Sequence, residues 1–482
     1  MKTVAAATIA AFAISTEAQF EPLHHLGGSS PWFEGPNVFG ISPDAPEGCS
    51  VDQVAFASRH GSRYPDTGAY NGWVALSEKI HAQPFTTNAS ELAFLQTWKP
   101  VLTNPAAQIA QISLGGYKEL YDMGVDYRWK YPSLYSENEP FVMWANKYQE
   151  FGPRVVDSGR LFARGYLGPN ATSVGQVYVV NQTDPRSIAN SLAPSDLCAN
   201  YADDPAGNTT TWASIYLPPI AARINSLLSG LNFTESDITS FPYLCGFETQ
   251  ITGSRSPWCS VWTESEIAQY EYAQDLRYYY GTGPGTSLES NLMLPFLTAI
   301  LQRFADGPNA TYASGGPDNN SSFTPNPLIA TFANDGQISQ LAAATGVFDG
   351  HPRLPITRVL ANRTYRATNV NPMRGTISFE RLTCTSSSPG AYSNSSADGE
   401  EQQQHVRVKF NDAVYPVAAC QSGPGRSCPL AEYRALVDAK SAAFGDWQER
   451  CGNEESERVP VEEARTTFLW DLGLGWLRAV RP

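Results

Sequence analysis

Two short stretches carry apolar residues without alternation, Gln53 to Ser58 (QVAFAS) and Leu328 to Ala333 (LIATFA). A run of that length with no polar face predicts a strand buried on both sides, as in the parallel centre of an α/β sheet. Thr376 to Thr383 and Val406 to Phe410 also read as strands, separated by a long polar excursion from Thr385 to Gln404. Helical spacing of apolar positions predicts helices over Ser113 to Tyr131, Ile220 to Leu231 and Ser290 to Phe304. The Gly/Ser/Asn-rich stretches Asp203 to Thr211 and Ala313 to Thr324 read as surface loops. The middle of the chain is expected to be helical and its two ends mixed.

Each of the two buried strands runs into a polar cluster, RHGSRYP after the first and NDG after the second. Ligands of open α/β sheets sit beyond the carboxyl ends of the strands, so these clusters are where chemistry is expected. Arg59 and Arg63 flank His60 on a turn that contains Gly61. Guanidinium forks match phosphate oxygens in geometry and charge. Two permanent cations also disfavour the imidazolium, which keeps a ring nitrogen lone pair available in acid. A neutral imidazole facing a phosphate held by arginines suits nucleophilic phosphoryl transfer through a phosphohistidine. Asn-Asp-Gly taken alone reads more readily as an ordinary turn.

With 482 residues, 42% of them hydrophobic, the chain can bury the core of one large domain or of two interleaved ones. A formal charge of -14 argues against nucleic acid and anionic membranes as partners, and repels anionic substrates less as the medium turns acidic. Lys2, the apolar run Val4 to Ile14 and the small residues Thr16 and Ala18 read as a signal peptide over 1–18, removed before Gln19. No later stretch is apolar enough to span a bilayer. The cysteines are even in number, eight, and none forms a CxxC pair, which favours disulfides. Glycosylation sequons occur at Asn88, Asn170, Asn181, Asn208, Asn232, Asn309, Asn319, Asn320, Asn362 and Asn394. Together these features predict a secreted, extracellular glycoprotein. Six histidines (His24, His25, His60, His81, His351, His405) show no HxH or HExxH spacing, and neither a metal nor a cofactor is expected. His351 is a further candidate for lining the site, and His24, His25, His81 and His405 are assigned to the surface.

RHGSRYP matches the RHGxRxP signature of the histidine acid phosphatases, a branch of the phosphoglycerate mutase-like superfamily. The resemblance implies that His60 is the nucleophile and that Arg59 and Arg63 bind phosphate. The segment Gly152 to Gly168 (GPRVVDSGRLFARGYLG) resembles the family's second arginine block, which makes Arg154 a third phosphate ligand. ERLTC at Glu380 to Cys384 and GPGRSCPLAEY at Gly423 to Tyr433 resemble secreted fungal acid phosphatases and phytases. That likeness implies the disulfides Cys49 with Cys384, Cys198 with Cys451, Cys245 with Cys259, and Cys420 with Cys428. In TFANDGQI the family's usual His-Asp is Asn334-Asp335. Asp335 is then the proton donor to the leaving alcohol, and Asn334 binds phosphate through an amide that cannot carry charge.

By the same resemblance the fold is α/β, a mostly parallel central sheet flanked by helices with a smaller all-helical domain inserted. The α/β domain is expected to comprise 19–70, 146–195 and 306–482, and the helical domain 71–145 and 196–305. The implied activity is that of a secreted acid phosphomonoesterase acting on small phosphate monoesters, phytate (myo-inositol hexakisphosphate) among them. In related enzymes the helical region walls the substrate site, and here Cys245 to Tyr280 carries Glu248, Glu264, Glu266 and Glu271 with few cations, which leans towards broad specificity. A mutase-like phosphotransferase and a catalytically silent phospho-ligand-binding glycoprotein stay open as alternatives. The likeness ends near Cys451, and one reading of FLWDLGLGWLRAV beyond it is an amphipathic terminal helix.

Overall fold

A mixed sheet is the spine of the computed structural model, which describes residues 20–146, 153–181, 184–187, 191–314, 321–385, 402–455, 458 and 467–482. The expected signal segment, the sequons at 319, 320 and 394, and most of the excursion after Thr385 lie outside these residues. In chain order the strands are β1 Cys49–Arg59, β2 Phe141–Asn146, β3 Gly175–Val180, β4 Leu328–Ala333, β5 Thr376–Cys384, β6 Gln403–Phe410, β7 Ala413–Val414, β8 Cys428–Pro429 and β9 Leu477–Val480. Their order across the sheet is β7, β6, β5, β1, β4, β2, β3, β9, with β8 paired to β6. The central strands β1, β4, β2 and β3 are parallel, and the strands outside them are antiparallel.

Both faces of the centre are covered, which is why QVAFAS and LIATFA show no alternation. Along β1, Val54 and Phe56 join one core and Ala55 and Ala57 the other. The longer helices are α1 Thr67–His81, α2 Leu114–Lys130, α3 Arg154–Leu167, α4 Ala206–Ser226, α5 Glu235–Thr252, α6 Glu264–Gly281, α7 Leu294–Asp306, α8 Asp335–Ala344 and α9 Leu430–Phe444. Helices α2 and α3 contribute Leu120, Met123, Tyr127 and Phe162 to the core that holds Phe56 and Phe332. Local sequence starts several of these helices. Ser113 caps α2 by accepting the Gly116 N–H, and reciprocal Thr234/Asp237 and Thr263/Glu266 boxes open α5 and α6.

Several expectations are displaced. The helix read over Ile220 to Leu231 begins at Ala206, inside the stretch read as a loop, because Trp212 and Tyr216 extend its buried face through Pro218 and Pro219. It ends at Ser226, since Leu228 and Ser229 pair with Thr86 and Thr87 instead. Strand β2, five of whose six residues fall in the segment assigned to the helical domain, is an interior strand with all six residues buried. The tail forms no amphipathic helix over its last residues: β9 hydrogen-bonds to the edge of β3, and Phe468 packs among Trp144, Phe296 and Trp476. His405 is buried in β6 rather than at the surface. The four disulfides present are Cys49–Cys384, Cys198–Cys451, Cys245–Cys259 and Cys420–Cys428.

Helices α2 and α3 cross at bare backbone. A Cβ on Gly165 would lie 2.0 Å from the Tyr121 carbonyl oxygen, which no side-chain motion can relieve. Gly165→Ala should therefore cost about 1–3 kcal/mol or more by forcing the helices apart. Thermal denaturation of the variant checks this, and an unchanged Tm would contradict it.

Candidate active site

Strands β1 and β4 end side by side, with Arg59 opposite Ala333, so His60 and Asn334 leave the sheet together. The His60 N–H donates to the Ala333 carbonyl and the Arg374 N–H donates to the His60 carbonyl, both at 3.0 Å. Neighbouring β2 leads to α3, whose first residue is Arg154. Three parallel strand ends thus bring together His60, Arg59, Arg63, Arg154, Asn334 and Asp335, the residues singled out in the sequence.

His60 is 1% exposed, and Arg59, Arg154 and Arg63 are 3%, 5% and 9% exposed. The Nδ1 of His60 lies 2.9 Å from the Gly61 carbonyl oxygen. A carbonyl only accepts, so Nδ1 carries the hydrogen and Nε2 keeps the lone pair. Burial, followed by the charges of Arg154, Arg59 and Arg63, holds the ring well below the usual imidazole range, so it stays neutral in acid.

Arg59 and Arg63 are anchored by acceptors of the surrounding structure. Arg59 Nη1 donates to the carbonyls of Gly28 at 2.7 Å and Asn371 at 2.8 Å, and its Nη2 lies 3.4 Å from Asp335 Oδ2. Arg63 donates to the Tyr64 carbonyl at 2.9 Å and to Asp66 Oδ2 at 2.8 Å, beside the ring of Phe247. The turn between them is braced from α2. The Ser62 N–H and hydroxyl donate to the Glu119 carboxylate at 2.8 and 2.7 Å, and the Gly61 N–H donates to Ser158 Oγ at 3.2 Å.

Asp335 opens α8, with Asn334 at the N-cap position. Its side chain is about one-third exposed, and its Oδ2 accepts from the Tyr278 hydroxyl at 2.8 Å. Burial works against ionisation, but Arg59, the Tyr278 hydrogen bond, His60 and Arg63 together hold the carboxyl far below its usual range. The Asn334 side chain caps nothing, and its Oδ1 is buried without a hydrogen-bond partner among the described residues. Its amide nitrogen is the group it can offer to an anion.

Tyr278, Gly28, Asn371, Glu119 and Ser158 are not marked by the sequence pattern, because each meets the turn or Asp335 across 31 to 312 positions of chain. Tyr278 sits in the run Tyr278–Tyr280, where spacing singles out none of the three. His351 is engaged elsewhere, with Pro352 O and the Tyr365 N–H. Three of the four glutamates of the helical region are engaged internally, Glu248 by Trp98 and Ser256, Glu266 by Arg223, and Glu271 by His25, Arg363 and Arg366, while Glu264 is exposed in the first turn of α6. His25 is thereby half-buried in an ion pair, not a free surface group.

A cleft of about 620 Å³ opens between α1, α4, α5 and α6, walled by Trp73, Tyr216, Tyr243, Tyr270 and several Thr, Ser and Ala side chains. Its one formal cation is Arg277, paired to both oxygens of Asp203 at 2.7 and 2.6 Å. Tyr243 ties the cleft to the site. Burial pushes its hydroxyl up to about 12, against the charges of Arg63 and Arg59.

A family model for the histidine phosphatase superfamily (branch 2) matches residues 50–411. The chain is 29% identical to acid phosphatase PHO1 of Komagataella pastoris, over 95% of this chain and 91% of that protein. It is 28% identical to phytase A of Aspergillus awamori, over 89% and 91% of the two chains. Among solved structures, the phytase from D. castellii superposes with a TM-score of 0.77 at 27% identity, covering 92% of this chain and 90% of that one.

Removing the Glu119 brace should show in stability. Glu119→Ala leaves the Ser62 N–H without its acceptor and should cost about 1–3 kcal/mol, whereas Glu119→Gln keeps an acceptor oxygen and should lose much less. Chemical denaturation of the two variants checks the difference, and equal midpoints would contradict it.

Proposed function

Because the chain belongs to the histidine phosphatase superfamily (branch 2), whose members similar to it are acid phosphatases and phytases, we propose that it is a secreted acid phosphomonoesterase working through His60. The observation that carries this reading is the buried, neutral His60 whose lone pair is on Nε2, set among Arg59, Arg63 and Arg154.

The substrate's phosphoryl oxygens bind the three guanidinium groups and the Asn334 amide. The Nε2 lone pair of His60 attacks phosphorus in line with the ester bond, whose electron pair leaves on the alcohol oxygen. Asp335 gives that oxygen its proton, and the alcohol departs. Water then attacks the phosphohistidine, surrendering a proton to the Asp335 carboxylate, and phosphate and neutral His60 are regenerated. The phosphate anion offsets the arginine charges that depress Asp335, so the acid holds its proton better in the loaded site than in the empty one. As pH rises the donor empties, and turnover falls.

The uncharged, aromatic and hydroxyl-rich cleft supports broad specificity. Its cation is already neutralised by Asp203, which leaves little to compensate the many charges of phytate. Relatives called phytases support phytate as one substrate among others. Secretion is supported by the four disulfides and by the seven described sequon asparagines, none of which is buried.

Hydrolysis of p-nitrophenyl phosphate and of phytate should be strongest in acid and should fall by at least about 10³-fold in His60→Ala. No hydrolysis of either ester by the wild type would overturn the reading in favour of a silent phospho-ligand-binding protein. Asn334→His adds a cation beside the bound anion and should tighten inhibition by inorganic phosphate in acid, measured as Ki. An unchanged Ki would contradict the assignment of Asn334.

A further inference from the structure

The Asp335 carboxyl has two oxygens, and their surroundings differ. Oδ2 faces two donors, the Tyr278 hydroxyl at 2.8 Å and Arg59 Nη2 at 3.4 Å. Among the described residues, Oδ1 meets only the N–H of Gly336 at 3.2 Å, at the start of its own helix. Tyr278 is held in place from behind. A Cβ on Gly28 would lie 2.1 Å from the phenol oxygen, so the ring fits only because residue 28 is glycine. The Gly28 carbonyl at the same time anchors Arg59. A proton on Oδ2 would collide with both donors, so a protonated Asp335 carries it on Oδ1.

We infer that Tyr278 is a positioning residue for proton transfer, its O–H holding Oδ2 as an acceptor so that Oδ1 is the oxygen that delivers the proton to the leaving group. This rests on the reading of Asp335 as the donor. In the step itself the Oδ1–H bond breaks as the bond from that proton to the leaving oxygen forms. The electron pair left on the carboxylate is stabilised by the phenol hydrogen bond, while the pair of the broken P–O bond goes to the leaving oxygen and Nε2 of His60 bonds to phosphorus. The other groups acting on Asp335 are Arg59, His60 and Arg63 from the turn, Tyr243 from α5 and Arg277 from α6. All of them persist when the Tyr278 hydroxyl is removed.

The role predicts dependence on the leaving group. Glycerol 2-phosphate needs its departing alkoxide protonated, whereas p-nitrophenolate departs without help. In single-turnover measurements, Tyr278→Phe should lose about tenfold or more on glycerol 2-phosphate and less than about threefold on p-nitrophenyl phosphate. The hydrogen bond lowers the pKa of Asp335, so its loss should also move the alkaline limb of the glycerol phosphate profile to higher pH. Gly28→Ala, which pushes the phenol off Oδ2, should give the same selectivity and serves if Tyr278→Phe does not fold. Equal losses on the two esters, no loss on either, or an unmoved limb would overturn the inference while leaving the phosphatase reading intact. A wild type inactive on both esters would overturn both.

Discussion

Three guanidinium groups packed around one buried imidazole repel one another and the proton that would charge the ring, and the surrounding structure answers that constraint. Backbone carbonyls of Gly28, Asn371 and Tyr64 and the carboxylates of Asp66 and Asp335 take up part of the arginines' hydrogen-bonding capacity. What they leave over is concentrated positive charge in a place poor in water, which favours an anion with several oxygens. The same charges keep His60 unprotonated and hold Asp335 ionised in the empty site. Imidazole and carboxyl are thus set to opposite states by one cluster of cations.

The sheet makes this crowding possible. Parallel β1, β4 and β2 deliver their carboxyl ends to one edge, so residues distant in sequence arrive together. Glu119 from α2 and Ser158 from α3 then clamp the turn after β1. The close crossing of α2 and α3 at Gly124 and Gly165 fixes the two clamps relative to each other.

What was legible in the sequence was local. QVAFAS and LIATFA announced buried strands because both faces of each are covered, and RHGSRYP concentrated the charges of the site in one turn. The parts that were not legible depend on partners far along the chain. FVMWAN at β2 is as apolar as the other two strands and is also followed by polar residues, but its place inside the sheet comes from pairing with β4 and β3. The terminal strand β9 takes its conformation from the open edge of β3 rather than from its own pattern. Tyr278 is one tyrosine among three in a row, and only the fold shows which of them meets Asp335. The partners that engage Glu248, Glu266 and Glu271 are likewise remote in sequence, so only the fold shows that these three carboxylates are used internally.

The central claim is that His60 is transiently phosphorylated on Nε2. The measurement that tests it most directly is rapid quenching of the enzyme during turnover of a radiolabelled phosphate ester, followed by peptide mapping. The account predicts label on the peptide containing His60, stable in alkali and lost in acid as a phosphoimidazole is. Turnover with no trapped label, or with label on a serine or carboxylate peptide, would contradict it.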